Sequence, residues 1–316
     1  MQSAALIKFF KKLVLFFVVV FIADRAIGYL LHKLYFSVPK GQFAQTTYSI
    51  DSANQDVIIL GSSRAIRHYN TSILSDKLHL SCYNAGRDAQ FLPYYSAIED
   101  VVFAKHTPKL LILDMNVWEF SPNSQKYDRL SIFLPYVQNH PELVPYIEEM
   151  GKWEKLKLYC HTYLYNSTLF IAMHDFLLGG SLPKDENGYL PLDRQMSKHD
   201  FDNYEQKKKL YDAKRAQEHI VLDQKAVKYF ESMLDKARAK NVKVYVIISP
   251  TILSEPETEE KKLIGTIAQR YPNVTFLDYT HDTRYNNLYQ KFADEFHLNK
   301  EGAEEYSKQL ADTLKL

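Results

Sequence analysis

The chain has 316 residues, 46% hydrophobic and 24% charged, a balance that argues against disorder and suffices for one large domain or two small ones. With 39 basic against 38 acidic residues the formal charge is +1, and no dense Lys/Arg patch is interleaved with aromatics, which argues against a nucleic-acid partner. Cys82 and Cys160 are the only cysteines and form no CxxC or Cys/His cluster, so neither a zinc site nor a disulfide scaffold is signalled, and no metal or cofactor is called for.

At the N-terminus Lys8, Lys11 and Lys12 precede the apolar run LVLFFVVVFIA, and apolar character resumes after Asp24 and Arg25 as AIGYLL. Residues 13–31 have about the 20-residue length of a bilayer-spanning helix. No small-x-small cleavage site follows Ala23, so residues 1–39 read as an uncleaved anchor rather than a signal peptide. Lysines ahead of the span predict a single-pass protein of the cytoplasmic membrane, with its N-terminus inside and residues 40–316 periplasmic or extracellular. Asp24 and Arg25 fit equally a charged pair snorkelling at the outer interface and a contact with a membrane partner.

Further along, strands are predicted at 56–60, 79–83, 110–114, 242–249 and 274–278, each a short apolar run. Helices are predicted at 221–237, where Leu222, Ala226, Tyr229, Phe230, Met233, Leu234 and Ala237 share a face, and at 300–314, with Ala303, Tyr306, Leu310 and Leu314. Strands separated by helices imply right-handed crossovers and a mainly parallel sheet, an α/β fold. Residues 121–215, rich in Tyr, Pro, Asn and His, break the rhythm and read as a helical and loop insertion within a domain spanning 40–316.

The chemistry-bearing residues cluster at the carboxyl ends of the predicted strands. A serine attacks only when a base takes its proton and donors hold the oxyanion that develops. Ser63 ends the first strand, on a turn that Gly61 permits. YNAGRD follows the second strand and can aim the Gly86 N–H into the same crevice. Asn116, past the third strand, can offer its amide, and DEFHLN puts Asp294 three residues before His297, with Asn299 suited to cap the next helix. Arg64 and Arg87 flank the crevice, where they read as contacts for an anionic acceptor or as surface ion-pairing residues. The G-x-S-x-G elbow is absent, since Ala65 stands where its last glycine would be.

In order and context, Gly61-Ser62-Ser63, Asn84-Ala85-Gly86, Asn116 and Asp294-x-x-His297 resemble the four blocks of the SGNH, or GDSL-like, hydrolase superfamily. The N-terminal anchor, the Gly-Ser-Ser first block and the terminal HLN..GA..YS are similar to envelope-anchored members of the lipoteichoic acid D-alanylation and alginate acetylation systems. The resemblance spans most of 55–314 outside the insertion. It implies a flavodoxin-like three-layer sandwich with a five-stranded parallel sheet. It also implies a Ser63–His297–Asp294 triad and an oxyanion hole formed by the Ser63 N–H, the Gly86 N–H and the Asn116 side chain. Two positions depart from the family pattern: Ser62 stands for the aspartate of Gly-Asp-Ser, and Asp114 for a glycine two residues before Asn116.

Two functions follow as expectations. One is an extracytoplasmic esterase or O-acyltransferase moving acyl groups, acetyl first among them, on an envelope polysaccharide or teichoic-type polymer, in company with a membrane-bound O-acyltransferase. The other is a non-catalytic envelope module that uses the same cleft to bind a polymer or such an acyltransferase.

Overall fold

Short apolar runs bounded by polar loops read as strands, and the described residues hold five, of which the last lies at a sheet edge and is only partly covered. They are β1 (Val57–Leu60), β2 (Cys82–Asn84), β3 (Leu110–Asp114), β4 (Lys243–Ile248) and β5 (Val274–Asp278). The structure, a computed structural model, describes residues 2–38, 41–166, 173, 187–217 and 220–315. All four strand pairings are parallel, in the order β2-β1-β3-β4-β5, with Val57 opposite Cys82 and Leu110, Leu110 opposite Lys243, and Val244 opposite Val274.

This α/β sheet has the flavodoxin-like order, whose winding reverses between β1 and β3, and open sheets of this kind bind ligands outside the carboxyl ends of the strands at that reversal. Side chains alternate along a strand, so Val57, Ile59, Leu110, Ile112, Tyr245 and Ile247 share one face. They form a buried cluster with Ala65, Tyr69, Leu74, Ala303, Tyr306 and Leu310, contributed by the helices Ser63–His68, Thr71–Leu78 and Lys300–Thr313 and their ends. Right-handed crossovers send the helices Leu92–Lys105 and Gln224–Ala239, which pack together, to the other face.

The second strand starts three residues later than its apolar pattern suggests. His79 adopts the left-handed conformation (φ 54°) as the C-cap of Thr71–Leu78, so the first residues of the apolar run leave the helix before pairing begins. Asp223 caps Gln224–Ala239 through the N–H groups of Lys225 and Ala226, at 3.1 and 3.2 Å. Asn299 caps Lys300–Thr313 through the Gly302 N–H at 2.9 Å.

Contacts divide the chain into two units, Met1–Ala44 with Tyr127–Leu182, and Gln45–Lys126 with Pro183–Leu316. The insertion expected over 121–215 is thus shared between them; its residues 167–172 and 174–186, and the expected boundary at 39–40, lie outside the described residues. In the first unit a 35-residue helix, Gln2–Phe36, carries the apolar run.

No helix among the described residues is long and apolar enough to cross a membrane, which corrects the spanning segment expected over 13–31. Uninterrupted apolar sequence lasts only from Leu13 to Ala23, about 16 Å of helix against a hydrocarbon core of about 30 Å. Beyond it, Asp24 accepts hydrogen bonds from the His161 N–H at 2.9 Å, the Thr162 N–H at 3.0 Å and the Thr162 hydroxyl at 2.8 Å, while Arg25 donates to the Tyr159 carbonyl at 2.9 Å. Partial burial alone would raise the Asp24 pKa, but these donors hold it well below the usual carboxylate range. The pair is therefore tied to residues 159–162 of its own unit.

Candidate active site

The loop after β1 places Ser62 and Ser63 at the first turn of the helix Ser63–His68, and the two hydroxyls part company there. Ser62 is buried as the N-cap, its oxygen accepting from the Arg64 N–H at 3.4 Å. Ser63 remains half-exposed, and its Oγ lies 2.8 Å from His297 Nε2. Gly61 allows this turn by closeness: a Cβ there would stand 2.7 Å from the Ala65 Cβ and 3.0 Å from the Asp114 Cβ.

His297 comes from a loop pinned by an antiparallel bridge between Phe292 and Leu298 and by the Ala293 N–H donating to the His297 carbonyl at 2.8 Å. The three-residue spacing lets one oxygen of Asp294 accept from the Phe296 and His297 N–H groups, both at 3.0 Å, and sit 2.8 Å from His297 Nδ1. The other oxygen accepts from Arg194 at 2.6 Å. Burial pushes the Asp294 pKa up, yet His297, the backbone donors and Arg194 together hold it far below the usual range. An ionised Asp294 draws the imidazole proton to Nδ1, leaving the Nε2 lone pair free to accept from Ser63.

No family model matches the chain, and no curated protein matches it. A solved structure from Streptococcus pneumonia, described as a candidate platelet activating factor, aligns over 93% of this chain and 99% of its own at 11% identity, with a TM-score of 0.43. A likeness of that size carries no argument about chemistry.

The two further groups expected to serve an oxyanion divide. Asn116, past β3, is half-buried, and its side-chain amide has no hydrogen-bond partner among the described residues. The Gly86 N–H instead donates to Asn84 Oδ1 at 3.1 Å, which corrects the expectation that it points into the crevice. What Gly86 provides is room: a Cβ would come within 2.8 Å of the Ala65 Cβ. Asn116→Ala is expected to lower the kcat for ester cleavage by roughly 10² to 10³, the usual cost of losing one oxyanion donor. Steady-state kinetics on a variant with an unchanged thermal melt checks this.

Arg64 and Arg87, expected to flank the crevice, are turned inward. Arg87 donates to the Thr46 hydroxyl. Arg64 is buried, with Nε 3.2 Å from Ser249 Oγ and one terminal nitrogen bonded to the Ser249 carbonyl, the Ser249 hydroxyl and the Pro250 carbonyl. Asp114 lies in the same buried cluster. Its buried carboxyl accepts from the Tyr69 hydroxyl at 2.7 Å; burial raises its pKa, and the Arg64 charge together with Tyr69 and Ser249 opposes that rise.

His68 joins the same network and was not singled out by any sequence signal beyond its nearness to Ser63. It is fully buried, with Nδ1 3.0 Å from Ser249 Oγ and Nε2 accepting from the Leu298 N–H at 3.0 Å. Burial, then the charge of Arg64, pushes its pKa well below the ordinary histidine value, so the ring stays neutral and can accept that bond. It thereby fixes the residue next to His297.

Among the described residues no group of His, Cys, Asp or Glu side chains is arranged to hold a metal ion.

Glu119, three residues past Asn116, supplies a pH signature. It is buried, accepts from the Leu92 N–H at 2.8 Å, and burial raises its pKa to about 7 despite Lys126. Between its ordinary pKa and about 7 the native state binds a proton that the unfolded state has released, so stability falls as pH rises through that window. Thermal melts from pH 5 to 8 are expected to show a smaller decline for Glu119→Gln than for the parent; equal slopes would contradict the assignment.

Proposed function

We propose that this chain is a serine-nucleophile esterase or O-acyltransferase acting on acyl groups, acetyl foremost, of a cell-envelope glycan or teichoic-type polymer. The observation that carries the reading is the unbroken chain of contacts from Ser63 Oγ through His297 to Asp294, 2.8 Å at each step. His297 Nε2 takes the Ser63 proton as Oγ bonds to the ester carbonyl carbon. The oxyanion that forms is met by the Ser63 N–H and the Asn116 amide. Protonated His297 then returns the proton to the departing alkoxide, leaving acyl-Ser63. Water or a glycan hydroxyl, deprotonated by the same His297, takes the acyl group in the second half-reaction.

The envelope setting is part of the proposal. Val14 to Ile22 are exposed apolar side chains behind Lys8, Lys11 and Lys12, which supports an N-terminus lying against a lipid surface. A membrane-bound O-acyltransferase is the partner that would deliver acyl groups to such a site.

The test is turnover of p-nitrophenyl acetate by the full chain, followed by peptide mass analysis. A burst and an acetyl adduct on Ser63 are expected. No turnover and no adduct, with a glycan still bound, would instead establish the non-catalytic envelope module.

A further inference from the structure

Beside the triad lies a slot of about 310 Å³ lined by Trp118, Tyr204, Tyr211 and Phe296 together with Lys207 and Glu295. Phe296 is the shared wall: it immediately precedes His297, the two ring centroids are 6.3 Å apart, and Trp118 follows Asn116 by two residues. The rings are not stacked on one another. Trp118 and Phe296 meet at 86° with centroids 6.5 Å apart, and Tyr204 and Phe296 at 70° and 6.3 Å, so the three rings pack edge to face around the slot they line. Phe296 is 43% and Tyr211 49% exposed, an arrangement that covers little apolar surface unless something lies against it.

We propose that this slot binds the alcohol half of the ester and that its occupant is a pyranose ring. The inference rests on the reading of Ser63 as the acyl-accepting nucleophile. Three features select a sugar over an acyl chain. Aromatic faces carry negative charge density that attracts the polarised C–H groups of a pyranose. Lys207 and Glu295 in the lining offer a donor and an acceptor for ring hydroxyls, where a hydrocarbon chain would meet two charges it cannot solvate. The Tyr204 hydroxyl has no hydrogen-bond partner among the described residues, and burial together with the nearby carboxylates of Glu255, Asp212 and Glu295 keeps its proton on, so it stands ready to donate. Lys208, also in the wall, is already tied to Asp212 and Glu255 at 2.9 and 3.0 Å.

The chain has two tryptophans, so Trp153→Phe leaves Trp118 as the single indole, excited selectively at the red edge where tyrosine does not absorb, and adding Ser63→Ala prevents turnover during titration. Methyl 6-O-acetyl-β-D-glucopyranoside is expected to change Trp118 emission saturably, and sodium hexanoate is not. Phe296→Ala in that background should weaken the glycoside by at least about tenfold, the scale of losing one aromatic anchor. With the nucleophile intact, the same substitution should lower kcat/KM for the acetylated glycoside about tenfold more than for p-nitrophenyl acetate. Saturation by hexanoate alone would overturn the proposal in favour of an acyl pocket, and saturation by neither, or a parallel loss on both esters, would also overturn it. Because emission needs no turnover, the two readings fail separately. Saturation without acylation of Ser63 leaves the sugar slot and removes the nucleophile, whereas acylation of Ser63 without saturation removes the slot alone.

Discussion

Ser63→Ala and His297→Ala are each expected to lower kcat for ester cleavage on the order of 10⁶-fold, and the double variant is expected to be hardly worse than either. The reason is that the two side chains act as one unit across a 2.8 Å contact. A serine hydroxyl that keeps its proton attacks a carbonyl poorly, and an imidazole with no hydroxyl to deprotonate has nothing to activate. Once either is gone, the residual rate comes from binding and the oxyanion donors, which the second substitution leaves alone. Ser62→Ala should retain most activity, because that hydroxyl is buried as a helix cap rather than directed at His297. Multiplicative losses in the double variant, or an acyl adduct persisting in Ser63→Ala, would show that another group carries the reaction.

Asp294→Asn is expected to cost about 10⁴ in kcat with little change in fold. Asp294 accepts from His297 Nδ1, from two backbone N–H groups and from Arg194. An asparagine keeps the size and one acceptor oxygen, so the loop can persist. If its amide nitrogen turns toward Nδ1, however, the imidazole carries its proton on Nε2 and presents an N–H to Ser63 instead of a lone pair. The loss should therefore appear in kcat while KM changes little. Measuring both constants across pH 6 to 9, with a thermal melt as control, separates a wrong tautomer from an unfolded loop. A variant of parental kcat would remove Asp294 from the site.

Much of this arrangement was legible in the amino-acid order. β1, β3 and β4 lie on their apolar runs, because a strand buried along its length has few polar positions to spare, whereas the edge strand β5 keeps exposed Thr275 and Asp278. The caps at Asp223 and Asn299 and the link between Asp294 and His297 depend on residues at most three apart, so short-range geometry determines them.

Tertiary structure decided what depends on partners far along the chain. Arg64 looks from sequence like a cation beside the nucleophile, yet the oxygens of Ser249, 185 residues away, and of Pro250 hold it inward. Gly86 carries the right residue type, but its N–H is taken by Asn84. Asp24 and Arg25 interrupt an apolar run in the sequence, and only folding brings His161, Thr162 and the Tyr159 carbonyl to meet them. His68 gives no motif at all, and becomes the support of the His297 loop through one bond to Leu298, 230 residues on. Periodicity and capping record what a segment does with its neighbours in sequence, whereas the partner of a buried charge is set by which distant segments desolvate it together.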